Sequence, residues 1–335
     1  MKIYISGVSS YPDPQPGIGI ARSIRAGFPY AHIVAVDYVS PNSGFSWHDF
    51  DDRVVFKDWG RSDLRSFIEK EIVGDSVWLS GLDIEVFTIA DLFPNGRAGI
   101  LVPSIQALKK SLKPPETVAN ILGIGVPPWQ KIVEASETCI SSAQVRTPFW
   151  VKGRLHGSVL VSDSSELRQA VSAVGRTWGI ASEYIIQEHV QGTEVQFTFA
   201  AENGVFIDGI FMEKLEKTKS GKVWRGLVRE FNREEREMLS ILASQLNWTG
   251  GGELECIRDA DNNLWLIEFN PRFPAWIHGA SIFGVNLPAA LVAKATGKPA
   301  NLTRAIGARG EFGRVVTEIP IVSQPSIYPD DSRSQ

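Results

Sequence analysis

Short apolar runs alternate with helical patterns over the first hundred residues. The runs that predict buried strands are Lys2–Ser6, His32–Asp37, Ser76–Ser80 and Gly99–Val102. Helices are predicted from Ile20 to about Ala26, after a Gly- and Pro-containing segment at 12–19, and over Asp63–Ile72. Strands that alternate with helices indicate a parallel sheet with helices packed on it.

A different pattern begins near Pro103, where we place a domain boundary. Helical segments at 104–113 and 116–126 are followed by apolar runs that pair as hairpins. The paired runs are Phe149–Lys152 with Val159–Val161, Glu194–Ala201 with Val205–Phe211, and Gly252–Arg258 with Leu264–Phe269. The remaining predicted elements are a strand at Tyr184–Gln187 and helices at Ser164–Val174, Arg233–Leu246 and Leu287–Thr296.

Composition narrows the class of protein. The chain has 335 residues, 43% of them apolar and 21% charged, and its formal net charge is −4. Such values are ordinary for a globular protein of about two to three domains, and they exclude disorder or coiled coil as descriptions of the whole chain. The charge gives no pull toward nucleic acid or an anionic membrane, and no apolar run is long enough to cross a bilayer. We therefore expect no nucleic-acid partner and no membrane association.

The cysteines and the start of the chain bear on the compartment. Cys139 and Cys256 are the two cysteines and lie far apart in the sequence, so they form no disulfide framework. The first apolar stretch is too short for a signal peptide and runs into prolines. These features predict a cytoplasmic protein.

The strongest candidate for chemistry is the hairpin pattern around residues 253–272. Glu255 lies on its first strand, while Glu268 and Asn270 lie on one face of the second, because side chains alternate along a strand. Three oxygen ligands from neighbouring strands suit Mg²⁺ or Mn²⁺ that also holds phosphate oxygens. Arg272, two residues further on, can neutralise a transferring phosphoryl group. The alternative is a surface hairpin with solvated carboxylates, but Glu268 is flanked by apolar residues.

Lys152 ends a predicted strand and precedes a Gly-containing loop at 153–158. An ammonium and backbone N–H groups that face the same point suit a phosphate. A solvated lysine at a strand end is the alternative, and the segment lacks the GxxxxGK[ST] pattern of a P-loop.

A third candidate is the apolar strand that ends in Gln187, Glu188, His189 and Val190. Its backbone can pair with the edge of an adenine, and the carboxylate of Glu194 can hold ribose hydroxyls. Taken alone, the pattern is also that of a common strand–turn–strand.

In this order and spacing, the three segments resemble the ATP-grasp superfamily of carboxylate–amine ligases, from about residue 103 to 299. The most specific similarity is LIEFNPRF followed by GVNLPAALVAKATGKP, which resembles the metal-binding segment and following helix of the carbamoyl-phosphate-synthetase-like branch. Glu268, Asn270 and Arg272 match the Glu-x-Asn-Pro-Arg pattern of that family. The resemblance implies Glu255, Glu268 and Asn270 as metal ligands, two Mg²⁺ ions that Mn²⁺ can replace, and Arg272 as a catalytic residue.

The resemblance also implies a set of ATP-binding residues. Lys152 matches the lysine that ends the first lid strand and contacts ATP phosphates, and we count it as catalytic too. The loop at 153–158 matches the mobile glycine-rich loop, although it is short. The segment Gln187–Val190 matches the adenine hinge, and Glu194 matches the ribose-binding carboxylate.

Lys113 matches the first phosphate-contacting lysine of the family. The match departs from the family pattern at Leu112, where Asp is usual. Lys109 and Lys110 are close enough in the sequence to compete for the role.

The fold that the resemblance implies is of the α/β and α+β class: an ATP-grasp fold with an N-terminal Rossmann-like pre-ATP-grasp domain. The domains are then 1–103 for the pre-ATP-grasp domain and 104–322 for the core, with a lid subdomain at about 148–203 and a frayed tail at 323–335.

Gly17, Gly19 and Asp37 have a second interpretation. A glycine-rich loop after a first strand, with an acid that ends the next, is typical of a Rossmann dinucleotide site. Arg22 stands where that motif has its third glycine. We therefore interpret the glycines as a tight strand-to-helix turn.

The implied function is that of an ADP-forming ligase. ATP converts a carboxylate into an acyl phosphate, and an amine then displaces phosphate to form an amide or peptide bond. The expected partners are a small-molecule carboxylate and an amine, such as an amino acid or peptide, and a second copy of the chain in a homodimer. The alternatives are an ATP-dependent phosphotransferase and a non-catalytic nucleotide-binding scaffold.

Substrate specificity is the part that the sequence defines least. The basic segment 212–226 is either a loop whose Lys214 or Arg225 holds the acid, or a solvated hairpin tip. Trp276 and His278 are further candidates for a pocket, although a core position is an equal interpretation of Trp276.

Overall fold

The computed structural model describes most of the chain. The described residues are 1–9, 15–38, 47–56, 61–132, 146–153, 157–178, 184–219, 221–302 and 309–315. The predicted tail at 323–335, residues 154–156 of the glycine-containing loop, and Cys139 lie outside them.

The elements follow the predicted order. The strands within the described ranges are β1 (Lys2–Ser6), β2 (His32–Asp37), β3 (Asp52–Val55), β4 (Val77–Leu79), β5 (Trp129–Ile132), β6 (Phe149–Gly153), β7 (Ser158–Val161), β8 (Tyr184–Glu188), β9 (Thr193–Glu202), β10 (Val205–Lys217), β11 (Val223–Glu230), β12 (Gly250–Arg258), β13 (Leu264–Asn270) and β14 (Arg309–Gly313). The helices of the same ranges are α1 (Pro16–Gly27), α2 (Arg61–Glu71), α3 (Asp83–Leu92), α4 (Ile105–Ser111), α5 (Glu116–Leu122), α6 (Leu167–Trp178), α7 (Arg233–Leu246), α8 (His278–Ile282) and α9 (Leu287–Thr296).

The N-terminal strands form a parallel sheet of order β3-β2-β1-β4, as the alternating pattern predicts. Their apolar residues are buried on both faces, which is usual for a parallel sheet covered by helices. Glu85 of α3 is fully buried behind the strand ends, where it accepts hydrogen bonds from Ser6, Tyr38 and Ser80. Burial raises the pKa of this carboxyl group, and the hydrogen bonds partly offset that effect.

Helix α1 begins at Pro16, four residues before the predicted start at Ile20. Proline is favoured in the first turn of a helix because the missing N–H has no partner there and the fixed φ angle already fits. The segment that looked like a Gly- and Pro-rich loop therefore already contains the first turn of the helix.

A smaller antiparallel sheet has the order β5-β8-β6-β7. One of its faces packs against α6, and the apolar core between them includes Val151, Val161, Leu167, Val171 and Ile186. Because β8 lies between β5 and β6, residues distant in sequence become neighbours on the opposite face.

The largest sheet has the order β13-β12-β9-β10-β11-β14 within the described residues. The turn between β9 and β10 has positive φ angles at Asn203 and Gly204, as the sequence there predicts. Helix α7 starts with a capping box between Asn232 and Glu235, which satisfies N–H groups at its first turn.

The structure contains strands β3, β5, β11 and β14 and helices α3 and α8, which the sequence pattern does not predict, and two predicted segments differ from it. Residues Gly99–Val102 form a single bridge between Ile100 and Trp78 rather than a strand, and Gly99 has a φ of +82° that an extended strand does not allow. The basic segment 212–226 is mostly strand: β10 continues to Lys217 and β11 starts at Val223, so the connection is short. The loop interpretation of that segment is therefore wrong, and the hairpin interpretation describes it better.

The described chain divides into two compact units. The first unit comprises Met1–Ala107, Phe197–Glu253 and the chain from Asn270 on, and the second comprises Leu108–Gln196 and Leu254–Phe269. The boundaries near Pro103 and around 148–203 remain predictions. No described helix combines the length and apolar character needed to span a membrane.

Candidate functional site

The small sheet of the second unit brings Lys152 and Gln187 together. Lys152 on β6 pairs with Ile185 on β8, so Gln187, two residues along β8, lies diagonally next to it on the same face. Its neighbours Val151 and Ile186 point to the opposite face and pack against α6. Lys152 donates a hydrogen bond from Nζ to Oε1 of Gln187 at 2.6 Å, and both side chains are buried. The Nε2 atom of Gln187 is also buried and has no hydrogen-bond partner within the described structure.

Charged side chains surround Lys152. Lys113 and Glu268 form an ion pair at 2.8 Å between Nζ and Oε1, with Lys113 buried and the Glu268 side chain 29% exposed. The pKa of Lys152 is lowered to about 8, mainly by burial and also by the charge of Lys113, against the opposing effect of Glu268, Glu255 and Glu194. We call Lys113, Lys152, Glu194, Glu255 and Glu268 the lysine cluster. All five lie in the second unit.

The three lysines that compete for the first phosphate contact differ in burial. Lys109 and Lys110 lie in the last turn of α4 and are exposed, whereas Lys113 is buried and holds Glu268. The assignment of Lys113 to a phosphate remains a prediction, and its burial next to Lys152 favours it over the other two.

The hinge after β8 is fixed by its backbone. The N–H of Glu188 donates to the carbonyl of Pro128 at 2.8 Å, and the N–H of His189 donates to the carbonyl of Pro148 at 3.1 Å. Nδ1 of His189 accepts a hydrogen bond from Nε1 of Trp150 at 3.1 Å. Glu188, His189, Val190 and Glu194 are all partly exposed.

A second group of polar side chains lies in the first unit. Glu253 is buried and accepts hydrogen bonds from Nδ2 of Asn270 at 3.0 Å and Nε1 of Trp276 at 3.1 Å. Arg272 is paired with Asp83, with Nε at 3.2 Å and Nη2 at 3.1 Å from Oδ2, and its Nη1 is 4.0 Å from Glu253. We call Asp83, Glu253, Asn270, Arg272 and Trp276 the arginine cluster.

Asp83 and Glu253 are not among the site residues that the sequence predicts. Glu253 carried a usable signal, because it precedes Glu255 by two residues and therefore shares its strand face. Asp83 carried none, because it is 189 residues from Arg272 in the sequence.

Strand β13 carries predicted site residues of both units. Glu268 belongs to the second unit and Asn270 to the first, and the alternation of β13 puts them on one face of the strand. No group of three or more His, Cys, Asp or Glu side chains arranged to hold a metal occurs among the described residues. The predicted set is of another kind, because Glu255, Glu268 and Asn270 contribute two carboxylates and an amide.

The pocket candidates from the sequence take ordinary structural positions. Trp276 is buried, stacks on Phe312 with ring centroids 5.8 Å apart, and donates to Glu253. Burial and the charge of Arg22 lower the pKa of His278 to about 4, so its imidazole is neutral at physiological pH. Arg225 is exposed and pairs with Glu216 and Glu311.

The glycines near the N-terminus have the geometry of a tight turn. The N–H of Gly17 donates to the carbonyl of Gly7 at 2.9 Å. A Cβ atom at Gly17 would lie 2.5 Å from the carbonyl oxygen of Ser6. The close approach of α1 to the end of β1 therefore explains why a glycine is needed there.

Comparison with known proteins shows the fold. No protein-family model and no curated protein sequence matches the chain. Its structure is similar to the biotin carboxylase domain of 2-oxoglutarate carboxylase from Hydrogenobacter thermophilus, at 15% identity and a TM-score of 0.67, covering 90% of this chain and 71% of that one. N5-carboxyaminoimidazole synthetase from Staphylococcus aureus, solved with ADP, matches at 18% identity and a TM-score of 0.65, with 89% and 77% of the two chains covered.

A third similar structure is N5-carboxyaminoimidazole synthase from Aspergillus clavatus, at 15% identity and a TM-score of 0.65, covering 89% of this chain and 77% of that one. These neighbours are ATP-grasp enzymes, so the chain has the ATP-grasp fold that the motifs imply. The expected mixed α/β class is confirmed as well.

Proposed function

We propose that this chain is an ADP-forming ligase that activates a carboxylate as an acyl phosphate with ATP and couples it to an amine. The observation that carries the proposal is the lysine cluster, in which two lysines are buried next to each other and to a buried glutamine with an unsatisfied N–H group. The fold is the second support, because its similar structures include complexes with ADP and, in one case, its magnesium salt.

Two buried like charges are costly unless an anion compensates them. Lys113 lowers the pKa of Lys152, so the two ammonium groups interact. A polyphosphate chain would neutralise both and would compete with Glu268 for Lys113. The Nε2 atom of Gln187 supplies a further donor on the same face of the sheet, and an acceptor on the nucleotide would satisfy it.

The hinge residues complete the proposed nucleotide site. Glu188, His189 and Val190 would meet the adenine edge with backbone groups, and Glu194 would accept hydrogen bonds from ribose hydroxyls. The backbone bonds from Glu188 and His189 to two proline carbonyls hold this segment in place before a nucleotide binds. Such preorganisation reduces the entropy that binding costs.

The proposed metal ligands Glu255, Glu268 and Asn270 offer hard oxygen atoms, which fit Mg²⁺ and also Mn²⁺. When bound there, two such ions would neutralise the charge that develops on the phosphoryl group during transfer. The exposed part of Glu268 and its partner Lys113 can rearrange to take a metal and a phosphate, respectively.

The proposed reaction has two steps. An oxygen of the substrate carboxylate attacks the γ-phosphorus of ATP, and the bond from that phosphorus to the bridging oxygen breaks, which releases ADP. The amine nitrogen then attacks the acyl carbon, phosphate leaves, and the nitrogen gives up a proton to water. Lys152 and Arg272 would stabilise the transferring phosphoryl group, mainly by position and charge.

The substrate screen must reach beyond amino acids and peptides. The H. thermophilus domain was solved with bicarbonate, and the A. clavatus enzyme with 5-aminoimidazole ribonucleotide. Bicarbonate and small amines therefore join carboxylic acids in the proposed substrate class. We also propose a cytoplasmic location and a homodimer, the latter because the H. thermophilus domain is described as a dimer.

The test measures ADP release from ATP and Mg²⁺ over pools of carboxylates, bicarbonate and amines, with mass detection of the product. The proposal expects ADP, phosphate and an amide or carbamate in equal amounts. ADP release with a phosphorylated product that persists would identify a phosphotransferase instead. ATP binding without turnover over all pools would identify a nucleotide-binding scaffold.

A further inference from the structure

Glu253 is a buried carboxylate that touches two predicted functional residues and belongs to no predicted ligand set. It is 2% exposed, and its oxygens accept hydrogen bonds from Asn270 and Trp276, with Arg272 at 4.0 Å. A buried carboxylate is costly in free energy unless such donors compensate it. Its position on β12 therefore needs a reason beyond packing.

The contact with Asn270 determines which way that amide faces. An amide has a donor end and an acceptor end, whereas an ionised carboxylate can only accept. Because Oε2 of Glu253 holds the Nδ2 end of Asn270 at 3.0 Å, the Oδ1 end is turned away from Glu253. The other orientation would bring two acceptor oxygens together without a proton.

Trp276 strengthens the preference for this orientation of the Asn270 amide. Its Nε1 group donates to Oε1 of Glu253 at 3.1 Å, and indole nitrogen can only donate. Glu253 thus faces two donors and satisfies both only as an acceptor-only carboxylate. A glutamine in its place would satisfy one donor and oppose the other.

We propose that Glu253 is a positioning residue that fixes the amide of Asn270 so that its oxygen, rather than its nitrogen, is presented to the divalent cation. This inference rests on the proposed function, in which Asn270 is a metal ligand. Glu253 itself does not touch the cation. Partners that orient a metal ligand in this way commonly change metal affinity by about 10–100-fold when they are replaced.

Glu253→Gln is the decisive variant, because it keeps the shape of the side chain but no longer selects one orientation of the Asn270 amide. Trp276 can only donate, so the new amide turns its oxygen toward the indole and its nitrogen toward Asn270. Asn270 must then rotate to accept with Oδ1, and its NH₂ group replaces the oxygen that faces the cation. A second change, Asn270→Asp, restores an oxygen: the carboxylate that it introduces accepts from the glutamine with one oxygen and keeps the other for the metal.

The experiment is calorimetric binding of ADP by the full chain, without Mg²⁺ and over a series of Mg²⁺ concentrations. For Glu253→Gln we expect unchanged metal-free ADP binding and an Mg²⁺ requirement about 10–100-fold higher. The double variant Glu253→Gln/Asn270→Asp should return toward the wild-type requirement. Glu235→Gln is the matched control, because that carboxylate also accepts hydrogen bonds, from Arg229 and from the backbone N–H of Asn232, but lies at the cap of α7.

The outcomes separate this inference from the proposed function. A wild-type protein that binds no ADP with or without Mg²⁺ contradicts the proposed function itself. Wild-type Mg²⁺ dependence in Glu253→Gln, or a double variant that binds ADP but regains no Mg²⁺ affinity, overturns only the positioning role. Should Glu253→Gln not fold, Glu253→Asp keeps the charge and withdraws the acceptor by one methylene. It should lose part of the Mg²⁺ affinity, and a wild-type value would overturn the role.

Discussion

The lysine cluster and the arginine cluster differ in the partners that hold their buried cations. In the lysine cluster Lys113 is paired with the partly exposed Glu268, whereas Lys152 is bonded to a neutral glutamine rather than to a carboxylate. In the arginine cluster the guanidinium of Arg272 is held by Asp83 with Glu253 nearby, so its charge is balanced by the chain itself. The first cluster is therefore suited to receive an anion, while the second is suited to hold a geometry.

The largest expected effect tests the metal side of the lysine cluster. Glu268→Gln should abolish ADP formation, because the amide replaces a charged metal ligand and weakens the pair with Lys113. ADP release at saturating Mg²⁺ is the measurement, with circular dichroism to show that the fold is intact. Glu237→Gln, on the exposed surface of α7, is the control. Near-normal turnover of Glu268→Gln would remove this residue from the metal site.

The next prediction tests whether Arg272 acts through the geometry of its guanidinium group or only through its positive charge. Arg272→Lys keeps the charge but loses the planar group that Asp83 holds through two nitrogens. We expect kcat to fall by roughly 10²-fold, on the scale of one preorganised transition-state donor, with little change in ATP affinity. Single-turnover ADP release beside calorimetry of ATP binding measures both.

The control for this prediction is Arg236→Lys, whose arginine pairs with Asp208 on the outer face of the first unit. A large loss of ATP affinity in Arg272→Lys at an unchanged single-turnover rate would show that Arg272 only binds the ground state. The arginine cluster would then act as an anion-binding site, as is proposed for the lysine cluster.

A third prediction follows from the pKa of Lys152, which burial lowers to about 8. Bound phosphates favour the ammonium form, so nucleotide binding above this pH takes up a proton, and affinity should fall by up to about tenfold per pH unit beyond it. Calorimetry of ADP between about pH 7 and 10 measures the profile. Lys152→Arg, which stays charged, should flatten it.

The same shift has a consequence for stability, with the sign opposite to that for binding. The pKa of Lys152 is lowered from 10.5 to about 8 by folding, so between these two pH values the unfolded chain binds more protons at Lys152 and stability rises with pH. This residue therefore destabilises the free protein least at high pH.

An ADP affinity that is constant over the range, with Lys152→Arg indistinguishable from wild type, would mean that Lys152 does not face the phosphates.

The smallest expected effect concerns Gln187. Gln187→Leu removes the acceptor for Lys152 and also the buried Nε2 atom, which has no partner among the residues that the structure describes. An unsatisfied buried donor costs about 1–3 kcal/mol, so its removal offsets the cost of leaving the Lys152 ammonium without this acceptor, and we expect little net loss of stability in the free protein. ATP affinity should nevertheless fall by about fivefold, the equivalent of one hydrogen bond of about 1 kcal/mol. A clear drop in melting temperature with unchanged ATP affinity would make Gln187 a structural residue only.

The sequence predicts strands in which apolar residues recur, including the edge strands β4, β7 and β13, and it misses strands that are rich in polar residues. Strands β1, β2, β9, β12 and β13 were found because continuous or alternating apolar residues are buried there. The missed strands β3, β5 and β14 all lie at the edge of a sheet, where one side needs no partner and polar residues are tolerated. Strand β11 was missed because charged residues interrupt it.

The sequence predicts those candidate site residues that lie close to each other along the chain. Glu268 and Asn270 follow from the alternation of one strand. The pair of Lys152 and Gln187 does not, because it depends on β8 lying beside β6 in a particular register. Asp83 reaches Arg272 only through the tertiary fold, which no pattern near either residue encodes.

The division of the chain between its two units limits the positions at which the chain can be cut or recombined. The boundaries at 196/197, 253/254 and 269/270 fall inside β9, β12 and β13, so no uninterrupted stretch of gene encodes either unit. Recombination at any of these points would split a strand and leave backbone groups without partners. A truncation that removes one unit would therefore also cut through strands on which the other unit depends.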